Sequence, residues 1–209
     1  MQNQDTPQRL LQAAIVEFAA KGLDNANLRD ICARAEVNLN AVRYHFGGKE
    51  GLYIAAVEQA NRTVIGEMQE PTVDETAPPE DRLRKFIGEM LEVSMSDRSR
   101  STPEEMLMFR EILEPTEATA QIARSHAKPM FDRLNALIAE LLPAGAPRIE
   151  QHLLAISIIG QCMHFQFGQQ MDRLVISPSE YRKFTVSRIT DHILRVTLAA
   201  IRDYSDERD

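Results

Sequence analysis

The chain has 209 residues, 44% hydrophobic and 26% charged, which is enough for one large domain or two small ones with a sizeable core. A net charge of −7 argues against a protein that coats nucleic acid indiscriminately. No apolar run approaches the roughly 18 residues of a membrane span. The N-terminus, MQNQDTPQRLLQAA, lacks the basic flank and apolar segment of a signal peptide. Cys32 and Cys162 both lie in apolar helical contexts and suit a reduced, cytoplasmic setting.

The charge is unevenly spread. Residues 1–54 carry six Lys/Arg and six Asp/Glu, so the whole net charge falls on the remainder. A neutral N-terminal part on an acidic body can dock on a polyanion while the body opposes non-specific adhesion.

In chain order, Thr6-Pro7 predicts a helix start. Leu10, Leu11, Ala14, Ile15, Phe18 and Ala19 follow as a stripe of helical period, and Gly22 ends it. Asn27 is placed to cap a second helix with Asp30 in its first turn, and Leu28, Ile31, Cys32 and Ala35 form its inner face. A turn at Glu36-Val37-Asn38 leads to a short third helix, about Leu39 to Phe46. There Val42 and Phe46 share an anchoring face, while Asn40, Arg43 and Tyr44 share another with His45 beside it. An amide, a guanidinium and a phenol on one face can meet base edges and phosphates. Gly47-Gly48 stops this helix, and Lys49 begins a longer one with Leu52, Ala55, Ala56, Ala60, Val64 and Met68 along one stripe.

Residues 70–79, EPTVDETAPP, are the one clear break. Five helical segments are predicted beyond it, at roughly 80–96, 103–114, 116–142, 147–171 and 178–204, with connections at 97–102 and 142–147. Pro129 predicts a kink just upstream of itself. The 147–171 segment is apolar nearly all round and the 178–204 segment has a wide apolar stripe. Such helices are buried on more than one side, so the two are expected to form a four-helix dimer interface. The chain reads as all-α.

Residues 6–56, and above all the run Tyr44-His45-Phe46 followed by Lys49-Glu50 and Leu52, resemble the TetR/AcrR family of transcriptional regulators. The stretch MFREILEPTEATAQIARSHAKPMFDRL, residues 108–134, with 152–168 more weakly, is similar to the CecR-like subgroup. The resemblance implies about nine helices in two domains. Residues 1–54, with a linking helix to about 69, would be a three-helix head with a helix-turn-helix. Residues 70–209 would be a helical bundle for ligand binding and dimerisation. Carried over residue by residue, base readout falls to Leu39, Asn40 and Arg43. Phosphate contacts fall to Tyr44, His45 and Lys49, with Asn27 or Arg29 at the second helix. Lys49 also sits at a helix N-terminus, where backbone amides suit a phosphate.

Two positions leave the family pattern. Glu36 stands where the turn usually has Gly, at a cost of about 1–2 kcal/mol if the site needs a left-handed backbone. Arg43 stands where many members have Tyr. It can take a guanine bidentately, at about 1–3 kcal/mol of discrimination, or grip a phosphate.

The histidines His126, His152 and His164 and Cys162 lack i, i+4 pairs, so no metal site is read from them. A redox role for Cys32 lacks a partner thiol. Methionines and phenylalanines are frequent beyond residue 70 and suit a soft cavity for varied apolar ligands. The candidate walls are Phe86, Met90, Met106, Phe109, Met130 and Phe165, with Arg110, His126, Gln161 and His164 as polar groups; Arg110 and Arg124 can equally pair with Glu111, Glu114 or Glu117.

The function read is a ligand-responsive regulator, a homodimeric repressor of double-stranded DNA that a small apolar effector releases, with no enzymatic activity and no cofactor. The helix from Lys49 and the one from Pro79 are the expected transmission path. Two alternatives stand beside it: a regulator controlled by a protein partner, and a small helical enzyme using His126 or His164 as a base, for which no nucleophile, paired acid or phosphate loop is found.

Overall fold

The computed structural model describes residues 6–66, 75–95 and 102–206. Among these residues every regular element is helical. The order is α1 (Thr6–Asn25), α2 (Leu28–Ala35), α3 (Leu39–Phe46), α4 (Lys49–Gly66), α5 (Pro79–Ser94), α6 (Pro103–Leu113) and α7 (Glu117–Ile122). A π-helical turn (Ala123–Ala127) follows, then α8 (Lys128–Leu141), α9 (Arg148–Phe167), α10 (Gln169–Val175), α11 (Pro178–Tyr181) and α12 (Val186–Asp206). The all-α class is as read. No helix among the described residues is long and apolar enough to cross a membrane. Met68, residues 70–74 of the break and the connection at 97–101 lie outside the described residues.

The chain forms two compact units. One comprises Met1–Glu67 with Ser99–Ala127, the other Met68–Arg98 with Lys128–Asp209. The first joins α1–α4 to α6, α7 and the π turn. Its core holds Leu10, Ile15 and Phe18 of α1, Ile31 of α2, Val42 of α3 and Leu52, Tyr53 and Val57 of α4, closed by Leu107 of α6 and Ala118 of α7. The Phe18 and Tyr53 rings meet edge to face at 4.9 Å. In the second unit α5, α8, α9 and α12 pack around Leu83, Phe86, Ile87, Leu134, Ile138, Ile158 and Ile193. Ion pairs Arg82–Glu140 and Arg84–Asp191 tie α5 to α8 and α12.

Three predicted segments are more broken than their periodicity suggests. The 116–142 segment contains the π turn directly before Lys128-Pro129; proline has no N–H for a carbonyl four residues back, and the wider turn absorbs that defect. The 147–171 segment divides at Gly168, whose bare Cα lies against the His164 ring: a Cβ there would sit 2.7 Å from it. The 178–204 segment divides between Arg182 and Thr185, where the Thr185 hydroxyl accepts from the Arg188 N–H at 3.3 Å and serves as a new cap. Ser177 starts α11, its hydroxyl accepting from the Glu180 N–H.

Two backbone positions carry steric information. Glu36 is left-handed, at φ 54° and ψ 45°, and is the only non-glycine with positive φ among the described residues. It ends α2, and its long side chain only approaches Arg9, at 4.0 Å. Gly51, in the first turn of α4, faces the Phe46 carbonyl so closely that a Cβ would stand 1.9 Å from the oxygen.

These positions yield opposite outcomes. Glu36→Gly relieves the left-handed penalty and, after glycine's own entropy cost, stabilises the protein by about 0.5–1 kcal/mol in denaturant unfolding. A loss of stability would show instead that the Arg9 contact outweighs backbone strain. Gly51→Ala forces α3 and α4 apart and costs about 1–3 kcal/mol; unfolding at wild-type denaturant concentration would contradict this reading.

Candidate nucleic-acid interface

The candidate reading helix α3 is only eight residues long. Isolated helices shorter than about 12–15 residues are marginal in water, so its order is imposed by caps and packing. The Asn38 side chain accepts from the Ala41 N–H at 3.1 Å, and the left-handed Gly47 returns its N–H to the Arg43 carbonyl. Val42 is 1% exposed and anchors the inner side, with Phe46 packed partly beneath it. Burying a valine is worth about 1.5–3 kcal/mol, and a cap about 1 kcal/mol.

The opposite side faces solvent. Asn40 and Arg43 are exposed, Leu39 is 49% exposed and Tyr44 is 83% exposed. Tyr44 and His45 meet edge to face at 4.8 Å, which steadies the phenol without covering its hydroxyl. Leu39 and Asn40 occupy the first turn, the part of a recognition helix that meets base edges in a helix-turn-helix.

The supporting helix is capped as read. Asn27 is the N-cap of α2 and its side chain accepts from the Arg29 N–H at 2.9 Å. The Asn27 oxygen is thus committed to the helix, and its amide N–H groups remain for a phosphate; Arg29 is exposed beside it. Asp30 pairs with Lys21 at 3.2 Å, and Lys21 also reaches the buried Glu17 at 2.6 Å, which locks α1 to α2.

Lys49 differs from the simple expectation of a free cation. Its ammonium donates to the Asp24 carbonyl at 2.9 Å, tying the start of α4 to the end of α1. Leu23, Asp24, Phe46, Gly47, Gly48, Lys49, Glu50 and Gly51 line an open hollow of about 460 Å³ at this junction.

The sequence-predicted ligand residues divide between the units. Met106, Phe109, Arg110 and His126 belong to the first; Phe86, Met90, Met130, Gln161, His164 and Phe165 belong to the second. In the first unit Arg110 pairs with Glu114 at 3.6 Å and lies against Gly22, where a Cβ would come within 3.1 Å of its Nη1. Gly22, at φ 74°, breaks α1 as read and leaves that space. His126 Nδ1 lies 3.0 Å from the Asn61 amide nitrogen and 2.7 Å from the Ser125 hydroxyl. In the second unit Phe86 is in the core and Met90, Met130 and Phe165 pack against it. Gln161 donates to the Ser157 carbonyl at 3.2 Å. His164 lies 3.0 Å from the Asp172 carboxylate, a pairing that no helical spacing announces.

Burial pushes the Cys32 thiol up and the Cys162 thiol to about 12, so both are held protonated and unreactive. No group of three metal-ligating side chains occurs among the described residues.

Of the three glutamates offered as partners for Arg110 or Arg124, Glu114 pairs with Arg110 and Glu111 turns inward. It is 2% exposed and accepts hydrogen bonds from the Tyr53, Thr116 and Thr119 hydroxyls. A signal existed: Glu111 lies four residues after the fully buried Leu107, hence on the same helix face.

Comparison with known proteins agrees with this geometry. Residues 10–56 match the family model of bacterial regulatory proteins of the tetR family. Residues 79–201 match the C-terminal domain model of the HTH-type transcriptional dual regulator CecR. The chain is 28% identical to the CecR regulator of Shigella flexneri over 181 residues, covering 81% of this chain and 79% of that protein. The fold is shared with the transcriptional regulator FadR of Bacillus subtilis, solved with stearoyl-CoA (TM-score 0.60, 16% identity, covering 93% and 98% of the two chains). It is also shared with AibR, solved with isovaleryl coenzyme A and operator DNA (TM-score 0.61, 18% identity, covering 90% and 96%). The chain therefore belongs to the TetR family of helix-turn-helix transcriptional regulators, with a CecR-type C-terminal domain.

Proposed function

We propose that this protein is a homodimeric repressor that reads a pseudo-palindromic operator through α3 and is released by a small, largely apolar effector. The observation that carries the reading is the outward face of α3: Asn40, Arg43 and Tyr44 stand exposed on a helix fixed from behind by Val42 and capped at both ends. Leu39, Asn40 and Arg43 read bases. Asn27, Arg29, Tyr44, His45 and Lys49 hold phosphates and set the register. A phosphate at the hollow beside Lys49 would meet the positive end of α4 as well as the ammonium. A cytoplasmic location accords with a family of bacterial regulatory proteins.

Two copies are required for a palindrome, with the reading helices one DNA turn apart, about 34–36 Å. Ile149, Leu153 and Ile156 of α9 are 56%, 51% and 58% exposed at i, i+4 and i+7, and Val196 of α12 is 45% exposed. That stripe supports a dimer made by α9 and α12 of each subunit.

The effector is assigned to the helices beyond residue 70. Phe86, Met90, Met130 and Phe165 offer its apolar contacts, with Gln161 and His164 as polar groups. FadR and AibR share this fold and were solved with acyl-coenzyme A molecules, which makes acyl thioesters the first class to test. The effector acts by binding the operator-free conformation better than the operator-bound one.

The operator is found by selecting bound duplexes from random DNA, and the reading fails if no preferred sequence emerges. With the selected duplex, Arg43→Ala costs about 1–3 kcal/mol and relaxes preference at one base position. A uniform loss across sequences, with the salt slope lowered by about one, would place Arg43 on a phosphate instead. Ile156→Glu converts the dimer to a monomer in gel filtration with light scattering; a dimer that persists would remove α9 from the interface.

A further inference from the structure

The first unit contains two polar contacts that its apolar core does not require. Glu111 of α6 is a carboxylate buried to 2% exposure, with no ion pair recorded for it among the described residues. Three hydroxyls satisfy it instead: Tyr53 of α4, Thr116 at 2.9 Å and Thr119 at 2.6 Å. Thr116 is also the N-cap of α7, accepting from the Ala118 N–H at 3.2 Å, and its own N–H donates to Thr119 Oγ1 at 3.0 Å. One carboxylate thus joins α4, the end of α6 and the start of α7. Two turns further along α4, the buried Asn61 meets His126 of the π turn.

Packing alone would be served as well by an apolar residue. Replacing buried polar pairs by well-packed hydrophobic side chains is often neutral or stabilising. A carboxylate differs because it is satisfied only when its donors stand at hydrogen-bond distance. A sliding of α4 along α6 that leucines would tolerate takes the Tyr53 hydroxyl away from Glu111 and leaves the buried carboxylate one donor short, at a cost in desolvation. The contact therefore fixes the setting of α4 as well as its proximity. Burial and then the Glu111 carboxylate push the Tyr53 phenol above its ordinary value, so it remains a donor throughout the physiological range.

The setting matters because α4 begins at the turn that ends α3. Gly51 of α4 is in van der Waals register with the Phe46 carbonyl, and Lys49 is tied to Asp24. From the π turn, helix continues into α8 without a loop, so the segment that holds α4 is also one of those by which the chain passes to the second unit.

We propose that Glu111 and His126 are positioning residues for operator binding: through Tyr53 and Asn61 they hold α4 to α6, α7 and the π turn, and thereby set the angle of the reading helix. This rests on the operator-reading function proposed above.

The test uses the full-length dimer, the duplex recovered by selection and an unrelated duplex of equal length. Tyr53→Phe keeps the ring against Phe18 and removes one donor; Asn61→Leu keeps volume and removes the other contact. Each variant is expected to weaken binding to the selected duplex roughly tenfold, the equivalent of one buried hydrogen bond to a charged or polar group. Affinity for the unrelated duplex, helical content and dimer mass stay unchanged, and Glu111→Gln loses less than Glu111→Ala. If the folded variants bind the selected duplex within about twofold of wild type while only thermal stability falls, the contacts serve stability alone and the proposal is overturned. If wild type itself selects no sequence, it is the operator-reading function that fails.

Discussion

An eight-residue helix has too few internal hydrogen bonds to offset the entropy of ordering it, and that constraint shapes the whole N-terminal unit. Each support of α3 has an identifiable source. Asn38 satisfies an orphan donor, Gly47 satisfies a terminal carbonyl, and Val42 and Phe46 bury one side. The remaining side is left free because the caps and the anchor use none of it. Asn40, Arg43 and Tyr44 can then be polar without cost to folding. The proposed recognition and the stability of α3 are separated by helix face, so the outer face can change while the anchoring face stays.

The same economy extends to the neighbours of α3. Glu36 accepts a left-handed backbone so that α2 can stop and α3 can start with only three residues between them. Gly51 permits α4 to begin almost in contact with the end of α3. Lys49 closes the other side of that junction by donating to Asp24. An ammonium has three donors, so this bond leaves others for a phosphate. The structural tie and the proposed phosphate contact can therefore coexist on one side chain.

Much of the head was legible because its determinants are local. Caps, stop signals and the two faces of α3 depend on residues within four positions of each other, which is the range that helical periodicity reports. Glu36 was recognisable as strained only through family resemblance, and the backbone angle then supplied the physical reason. The body was less legible. Gly168 and the Arg182–Thr185 turn interrupt stretches whose apolar period continues on both sides, so periodicity reads straight through them. Gly51 was silent in sequence because its neighbour is the Phe46 backbone, which no side-chain pattern records. Glu111 and Tyr53 are 58 residues apart, and only the burial of Leu107 on the same face hints that this glutamate points inward.

The placement of charge bears on how such a protein finds its target. The N-terminal 54 residues are neutral and the remainder carries −7. A strongly basic head would hold any duplex through counterion release, and specific sites would compete poorly against the excess of others. With few cations in the head, each one at the interface weighs more. Arg43 is then more informative on a base than on a phosphate, because a base contact adds discrimination where a phosphate contact adds only uniform affinity. If α3 reads DNA as proposed, an acidic remainder opposes contacts that α3 and its flanking donors do not offset. Under the proposed function, orientation would therefore be selected during approach as well as after contact.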